Sequence, residues 1–386
     1  MVVNRRISKC HVLSSILAML FAAISTVVAK IPALALNNQY IFSRKAGLSW
    51  AERSVEYCPK AHQVVKSVGH ETNNLVCFNL NFVEGGTQYY SFISQFSAHF
   101  AFYLGMATRF LESVGQETSF KGEVVWRIDD DATVPSSLVL QLTAAGVATI
   151  GHSIHIEFGD PSTYTALVPD FHFIQYDGFQ ELNQRSATLS LSFKEKLPMV
   201  FWAGSATGYS SCPQGQTCNN SCSTLPRYRM VRLAQNSQWL NCSITGTDEF
   251  CGVDKTILRA HGVQSERIDE REWLKYRGII DIDGNVDAWG LRWRLASQSV
   301  VFRVRSNYVN HYSHLLREGV HYIEIDGTLD DLLSKTSIIA RNDSQTVNYL
   351  QEMSERAFHT INRVTYAAAV KKTARALSLL FNRDFD

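Results

Sequence analysis

Net charge is almost absent from this sequence. Thirty-seven Lys and Arg stand against 36 Asp and Glu over 386 residues, which leaves +1 with His neutral. So balanced a chain has no surplus of cations with which to displace counterions from a polyanion, and nucleic acid is excluded as the expected partner. Tandem repeats and long low-complexity tracts are missing too, which excludes solenoids and extended linkers. Neither of two common phosphate-binding fingerprints is present. Without GxxxxGK[ST] the chain is not a P-loop protein, and without GxGxxG an NAD-dependent or sugar-nucleotide oxidoreductase is disfavoured.

What is present is ordinary globular composition, 45% hydrophobic and 19% charged, with length enough for two domains. The amino-terminal end stands apart. Arg5, Arg6 and Lys9 precede an apolar stretch from about Val12 to Ala29, closed by Lys30 and Pro32. A basic flank before an apolar core reads as a secretory signal. Left uncleaved, it is a type II anchor with Arg5, Arg6 and Lys9 in the cytosol and the rest in the lumen. Cleavage after Val27-Val28-Ala29 or Ala33-Leu34-Ala35 would release a secreted protein.

Cysteine usage agrees with an oxidising compartment. Seven of the eight cysteines follow the apolar stretch, and Cys58 with Cys77 and Cys242 with Cys251 are plausible local pairs. Cys212, Cys218 and Cys222 have spacings that match no zinc module, and no His accompanies them. Asn-x-Ser acceptors at Asn219, Asn241 and Asn342 suit a lumenal surface.

Residues 37–90 have mixed patterning. Phe, Leu and Met at helical spacing predict a helix within 91–114, and the run 123–128 predicts a strand that stops at Asp129-Asp130-Asp131. A helix at 136–142 and a strand pair within 147–156 follow. "LVPDFHFI" carries Asp170, and 178–195 reads as a helix and connection. From Pro198 strands alternate with helices: strand 198–202, a helix opened by Pro226, strand 278–282, helix 287–297, strand 299–304, strand 321–325 and helix 329–339. That alternation implies a parallel sheet. Residues 349–381 read as one nearly continuous helix.

Two strand ends share a chemistry. "KYRGIIDIDGNVDAWG" closes a strand on Asp283-Gly284 ahead of a helix. In parallel α/β sheets ligands bind beyond the carboxyl ends of strands, where glycine lets the backbone approach and a helix start offers free N–H groups. The plainer reading is an Asp-Gly turn with Asp287 as helix cap. "PMVFWAGSATG" ends likewise, on Gly204-Ser205-Ala206-Thr207-Gly208, and Arg227, Arg229 and Arg232 at the next helix are suited to a diphosphate.

"FWAGSATG", "PRYR", "KYRGIIDIDGNVDAWGLRWRLASQSVVF" and "HYIEIDGTLDDLLSKTSIIARND" resemble glycosyltransferase family 90 over residues 199–345. "VPDFHF" at 168–173 fits less tightly. The resemblance implies an α/β, GT-B-like arrangement of two Rossmann-type domains with parallel sheets and the active site between them. It implies a UDP-sugar donor held mostly by the second domain, and inverting transfer with no cofactor and no required metal. The resulting division is a signal or anchor at 1–36, an acceptor-side domain at 37–195, a nucleotide-sugar domain at 196–345 and a helical segment at 346–386 that crosses back to the first domain.

On that resemblance the donor set is Gly204, Ser205, Thr207, Gly208, Arg227, Arg229, Asp283, Gly284, Trp289, Gly290 and Arg292, with Asp170 touching donor or acceptor. Two departures stand out. Ala203 replaces an Arg of many relatives, and Arg292 is offset by about one residue, a rotation of roughly 100° on a helix. Inverting transfer needs one carboxylate base for the acceptor hydroxyl. Asp130 is the first choice, from the nearby Val134-Pro135, with Asp129 and Asp131 as alternatives; a DxD metal site and a solvated acidic turn are the competing readings. The expected protein is therefore an inverting glycosyltransferase of the endoplasmic reticulum or Golgi lumen, moving a glucose- or xylose-type sugar to a hydroxyl of a protein or glycan. The alternative is a catalytically inactive relative that binds carbohydrate or protein.

Overall fold

The apolar runs fold into two five-stranded sheets and a short two-stranded ladder. The computed structural model describes residues 58–68, 75–81, 86–91, 98–118, 121–128, 134, 136–155, 165–189, 191–208, 225–245, 263 and 265–381. All of them lie in one compact unit, Trp50–Asp386. The basic-flanked apolar stretch, the cysteines 212, 218 and 222, Asn219 and the carboxylates 129–131 fall outside the described residues. Among the described residues no helix is long and apolar enough to cross a membrane.

The first half holds α1 (Pro59–Val68), β1 (Leu75–Asn81), β2 (Gly86–Ser91), α2 (Ala98–Gly115), β3 (Lys121–Arg127), α3 (Ser136–Ala144), β4 (Ala148–Gly151), β5 (Ile154–His155), β6 (Thr165–Leu167), α4 (Phe171–Gln175) and α5 (Gln180–Leu189). Its sheet runs β2-β1-β3-β4-β6. Strands β3, β4 and β6 are parallel, but β1 is antiparallel to both β2 and β3. This half is thus a mixed sheet rather than the all-parallel one expected. Only residues 82–85 separate β1 from β2, a hairpin length and far too short for a parallel crossover. The expected Cys58–Cys77 disulfide ties α1 to β1. Glu123 on β3 then receives the Ala61 N–H at 2.9 Å and the Lys60 N–H at 3.3 Å, supplying α1 with the anion that helix starts favour.

The second half holds β7 (Leu197–Gly204), α6 (Pro226–Ala234), β8 (Leu240–Ile244), α7 (Glu270–Trp273), β9 (Tyr276–Asp281), α8 (Leu291–Leu295), β10 (Val300–Val304), β11 (Tyr308–Val309), β12 (Ile323–Ile325), α9 (Leu332–Thr336) and α10 (Ser344–Ile361). Its sheet, β12-β10-β9-β7-β8, is parallel throughout. Val200, Phe201, Trp202, Ile279, Ile280, Val300, Val301 and Phe302 are all buried, the continuous apolar strand interiors that a sheet covered on both faces demands. Cys242 on edge strand β8 is a free thiol, so the expected pair with Cys251 is not formed.

The long helix expected over 349–381 is two helices. α10 packs on the second half through Val347, Leu350 and Met353. The chain then breaks at 362–365, where the Thr365 hydroxyl accepts the Ala368 N–H at 3.1 Å and starts α11 (Tyr366–Phe381). α11 returns to the first half, as expected, and buries Val370, Ala374 and Leu377 in its core. Two contacts fasten the halves together. A shared cluster joins Phe173 and Phe179 to Leu291, Leu295, Tyr312, Ala357 and Ile361. The antiparallel ladder of β5 with β11 pairs Ile154 with Val309 and His155 with Tyr308.

Candidate active site

Strand order locates the crevice. From β7 the chain turns outward to β8, and from β9 it turns the other way to β10. Connectivity reverses between β7 and β9, and the carboxyl ends of strands at such a switch point are where α/β sheets bind ligands. The loops after these two strands are 204–208 and 282–290, both singled out in the sequence.

Arg227, the second residue of α6, ties them together. Its Nε donates to the Asp283 carbonyl at 2.9 Å and its Nη2 to the Ile282 carbonyl at 3.1 Å. Its Nη1 donates to the Thr207 hydroxyl at 2.7 Å and the Ser205 carbonyl at 3.2 Å. The Gly208 N–H donates to the Asn285 side chain at 3.2 Å, and the Asp283 carboxyl receives the Ala288 N–H at 3.2 Å. A Cβ on Gly284 would lie 2.9 Å from Arg227 Nη2 and 3.1 Å from Thr207 Oγ1, so only glycine fits between the loops. Burial lowers the Arg227 pKa to about 10, which leaves it cationic at neutral pH. Gly204, Ser205, Thr207, Gly208, Arg227, Asp283 and Gly284 are thereby gathered on one rim.

The other expected donor residues are placed differently. Arg229 donates to the Thr328 carbonyl at 3.1 Å, beyond β12. Arg292 turns away from the rim altogether: it is 1% exposed and donates to Asn183 at 2.8 Å and the Val364 carbonyl at 3.2 Å. Its helix begins at Leu291 instead of 287, so position 292 falls on the face toward α5 and the α10–α11 break. Gly290, not Asp287, precedes that helix as its cap. The Arg294 guanidinium occupies the space over Gly290, where a Cβ would stand 2.8 Å from its Cζ. Arg294 pairs with Asp281 and lies over Trp273 and Trp293. Arg303, opposite Asp281 on β10, lies over the Tyr322 ring. These two cations were not singled out in the sequence; the later start of α8 and the strand register of β10 identify them.

The first half presents a second rim. Its parallel strands β3, β4 and β6 end at Arg127, Gly151 and Leu167, and His152-Ser153 and Asp170 follow the last two. Asp170 accepts the Phe173 N–H at 2.8 Å and so caps α4. Burial raises its pKa to about 7 against that hydrogen bond, and the charge of Asp287 adds to the rise. Burial likewise raises Asp283 to about 7 and Asp287 to about 6, the latter opposed by hydrogen bonding from Asn310. Asp287 of the second half thus acts on Asp170 of the first. His152, wholly buried, is held neutral with a pKa of about 3. Trp289 reaches across from the second half into an aromatic pocket of the first. Ring centroids of His172, His152, Tyr103 and Phe171 lie 4.6, 5.7, 6.2 and 6.4 Å from its own, all near edge-on. His152 and Ser153 carried no signal beyond their place at a strand end, and Asp287 was read only as a helix cap.

Among the described residues one group has metal-ligand proximity, Cys58, Cys77 and Glu123, but its sulfurs are joined to each other.

The family model described as "Glycosyl transferase family 90" matches residues 170–362, half of the chain. Among curated proteins, Protein O-glucosyltransferase 2 of Danio rerio is 32% identical over 120 residues, 31% of this chain and 23% of the relative. Protein O-glucosyltransferase 3 of Homo sapiens is 28% identical over 127 residues, 33% of this chain and 24% of the relative. The matches thus span about a quarter of these relatives' length. Among solved structures, Anabaena HepE in complex with UDP and glucose aligns at 11% identity over 72% of this chain and 76% of that one, with a TM-score of 0.40. A glycosyltransferase from Rickettsia africae aligns at 9% identity over 65% and 69%, with a TM-score of 0.39.

Proposed function

The chain belongs to glycosyl transferase family 90, and on that premise we propose that it moves a glucose- or xylose-type sugar from a UDP-sugar to a hydroxyl of a protein or glycan, with inversion at the sugar C1. The observation that carries this reading is the pair of rims, one built of glycine and hydroxyl loops around Arg227, the other holding the buried carboxyl of Asp170, with Trp289 reaching from the first to the second. Loops 204–208 and 283–284 hold the diphosphate through N–H groups and hydroxyls. Arg227, Arg294 and Arg303 supply positive charge behind it. Asp130, with Asp129 and Asp131 beside it, takes the acceptor hydroxyl proton. The acceptor oxygen bonds to C1 as the C1–O bond to the diphosphate breaks, and that electron pair leaves with UDP. No metal is assigned a step.

The relatives' name supports glucose as donor sugar and protein as acceptor. The Cys58–Cys77 disulfide supports a lumenal site. The two halves are the two Rossmann-like lobes of a GT-B-like enzyme, divided near residue 196, with residues 1–36 as signal or anchor. A second reading, the inactive binding relative, is favoured by one observation: Arg292 is directed away from the rim.

A thermal-shift screen of the full chain against UDP, UDP-glucose and UDP-xylose, with and without EDTA, tests the proposal. A rise in Tm with UDP and with one UDP-sugar, unaffected by EDTA, is expected. No shift with any nucleotide overturns it in favour of the binding relative.

A further inference from the structure

Five buried polar atoms at the seam between the rims have no hydrogen-bond partner among the described residues: both ring nitrogens of His152, Ser153 Oγ, Asp287 Oδ1 and Trp289 Nε1. His152 and Ser153 are 0% exposed and Asp287 is 5% exposed. Folded proteins leave few buried polar atoms unpaired, so a cluster of this kind calls for an explanation. The residues are true neighbours. The His152 and Trp289 rings are 5.7 Å apart, and the Ser153 hydroxyl is close enough to Asp287 to favour its ionised form without completing a hydrogen bond to it.

Their chemistry is selective. Neutral His152 offers one donor and one acceptor, Ser153 offers both, Asp287 accepts and Trp289 donates. No guanidinium or ammonium belongs to the set, so it is not a phosphate site. Around it stand the rings of Trp289, Phe171 and Tyr103. A ligand that both gives and takes hydrogen bonds around its edge, and has apolar C–H faces, is a sugar ring. Position selects which one. Asp287 and Trp289 follow the Asp283-Gly284 turn within a few residues, so a sugar joined to a diphosphate at that turn reaches them.

We propose that His152, Ser153, Asp287 and Trp289 form the subsite for the sugar ring of the donor, whose hydroxyls complete their unmade hydrogen bonds. The proposal rests on the UDP-sugar reading above. It makes these four residues the determinants of which sugar is accepted, with the first half supplying two of them although the nucleotide is held by the second.

The test compares UDP-glucose and UDP-xylose with UDP alone, by titration calorimetry on the full chain and on Ser153→Ala, His152→Phe and Asp287→Asn, with Tm measured on the unliganded proteins. UDP lacks the sugar, so the ratio of affinities isolates the subsite. Each variant is expected to bind UDP within about twofold of wild type and to lose about tenfold in affinity for the preferred UDP-sugar. Ser153→Ala is also expected to keep or raise Tm, since it removes an unpaired buried hydroxyl. A merely structural role would lower Tm and leave the UDP-sugar to UDP ratio unchanged, which overturns the proposal. So does a loss confined to the acceptor KM. If wild type binds UDP but gains nothing from either sugar, the subsite fails while the nucleotide site stands. If wild type binds no nucleotide, the functional reading fails and the subsite with it.

Discussion

At the second-half rim Arg227 commits donors to three loop carbonyls and a hydroxyl, whereas at the first-half rim His152 and Ser153 leave their side chains uncommitted. The first arrangement fixes two loops before any ligand arrives, as a diphosphate cradle requires. The second keeps hydrogen-bonding capacity in reserve, at about 1–3 kcal/mol for each buried group left unpaired. On the proposed reading, a rigid rim serves the part common to all UDP-sugars and an unsatisfied rim the part that differs among them.

The largest expected effect is at the proposed base. Asp130→Asn should lower transfer by about 100-fold or more, the usual worth of a general base, with UDP-sugar affinity unchanged; steady-state turnover beside calorimetry checks this, and full turnover would reassign the base. Next comes the rigid rim. Arg227→Ala should cost about 3 kcal/mol in urea unfolding by stranding loop carbonyls, and should abolish UDP binding. Arg292→Ala sharpens the contrast: a cost of about 2 kcal/mol from its lost bonds to Asn183 and Val364, yet UDP affinity within threefold of wild type. Equal losses of UDP affinity in both variants would erase the distinction drawn between the two arginines.

The smallest effect is electrostatic. Asp170, Asp283 and Asp287 have folded pKa values of about 7, 7 and 6, raised chiefly by burial. Between an unfolded value near 4 and these folded values the native state binds more protons than the unfolded one. Stability should therefore fall as pH rises from about 4 to about 7, by at most about 1.4 kcal/mol per pH unit for each titrating group, and level off above. Tm measured across that range should decline, and Asp287→Asn should flatten the curve. A rise through the same window would show that the crevice stabilises the charged forms.

What the sequence disclosed follows from where structure is local. The parallel sheet of the second half was legible because its strands are continuous apolar runs with glycine at their ends, and the rim from Gly204 to Gly208 came with it. Helix starts were harder. α8 begins four residues later than its pattern suggests, because the Asp283 carboxyl takes the Ala288 N–H and holds 284–287 in a turn. That delay sends Arg292 inward and brings Arg294 over Gly290. β2 gave little periodic signal, and its edge position asks for little. The partners of His152 and Trp289 are more than 100 residues apart, and no local pattern encodes such a meeting.

The return of α11 to the first half has a consequence for synthesis. Chains leave the ribosome amino end first, and domains commonly fold in that order. Here the surface of α2, β4 and β6 that receives the last helix has to wait until residues 366–381 are made. The half translated earlier is completed later.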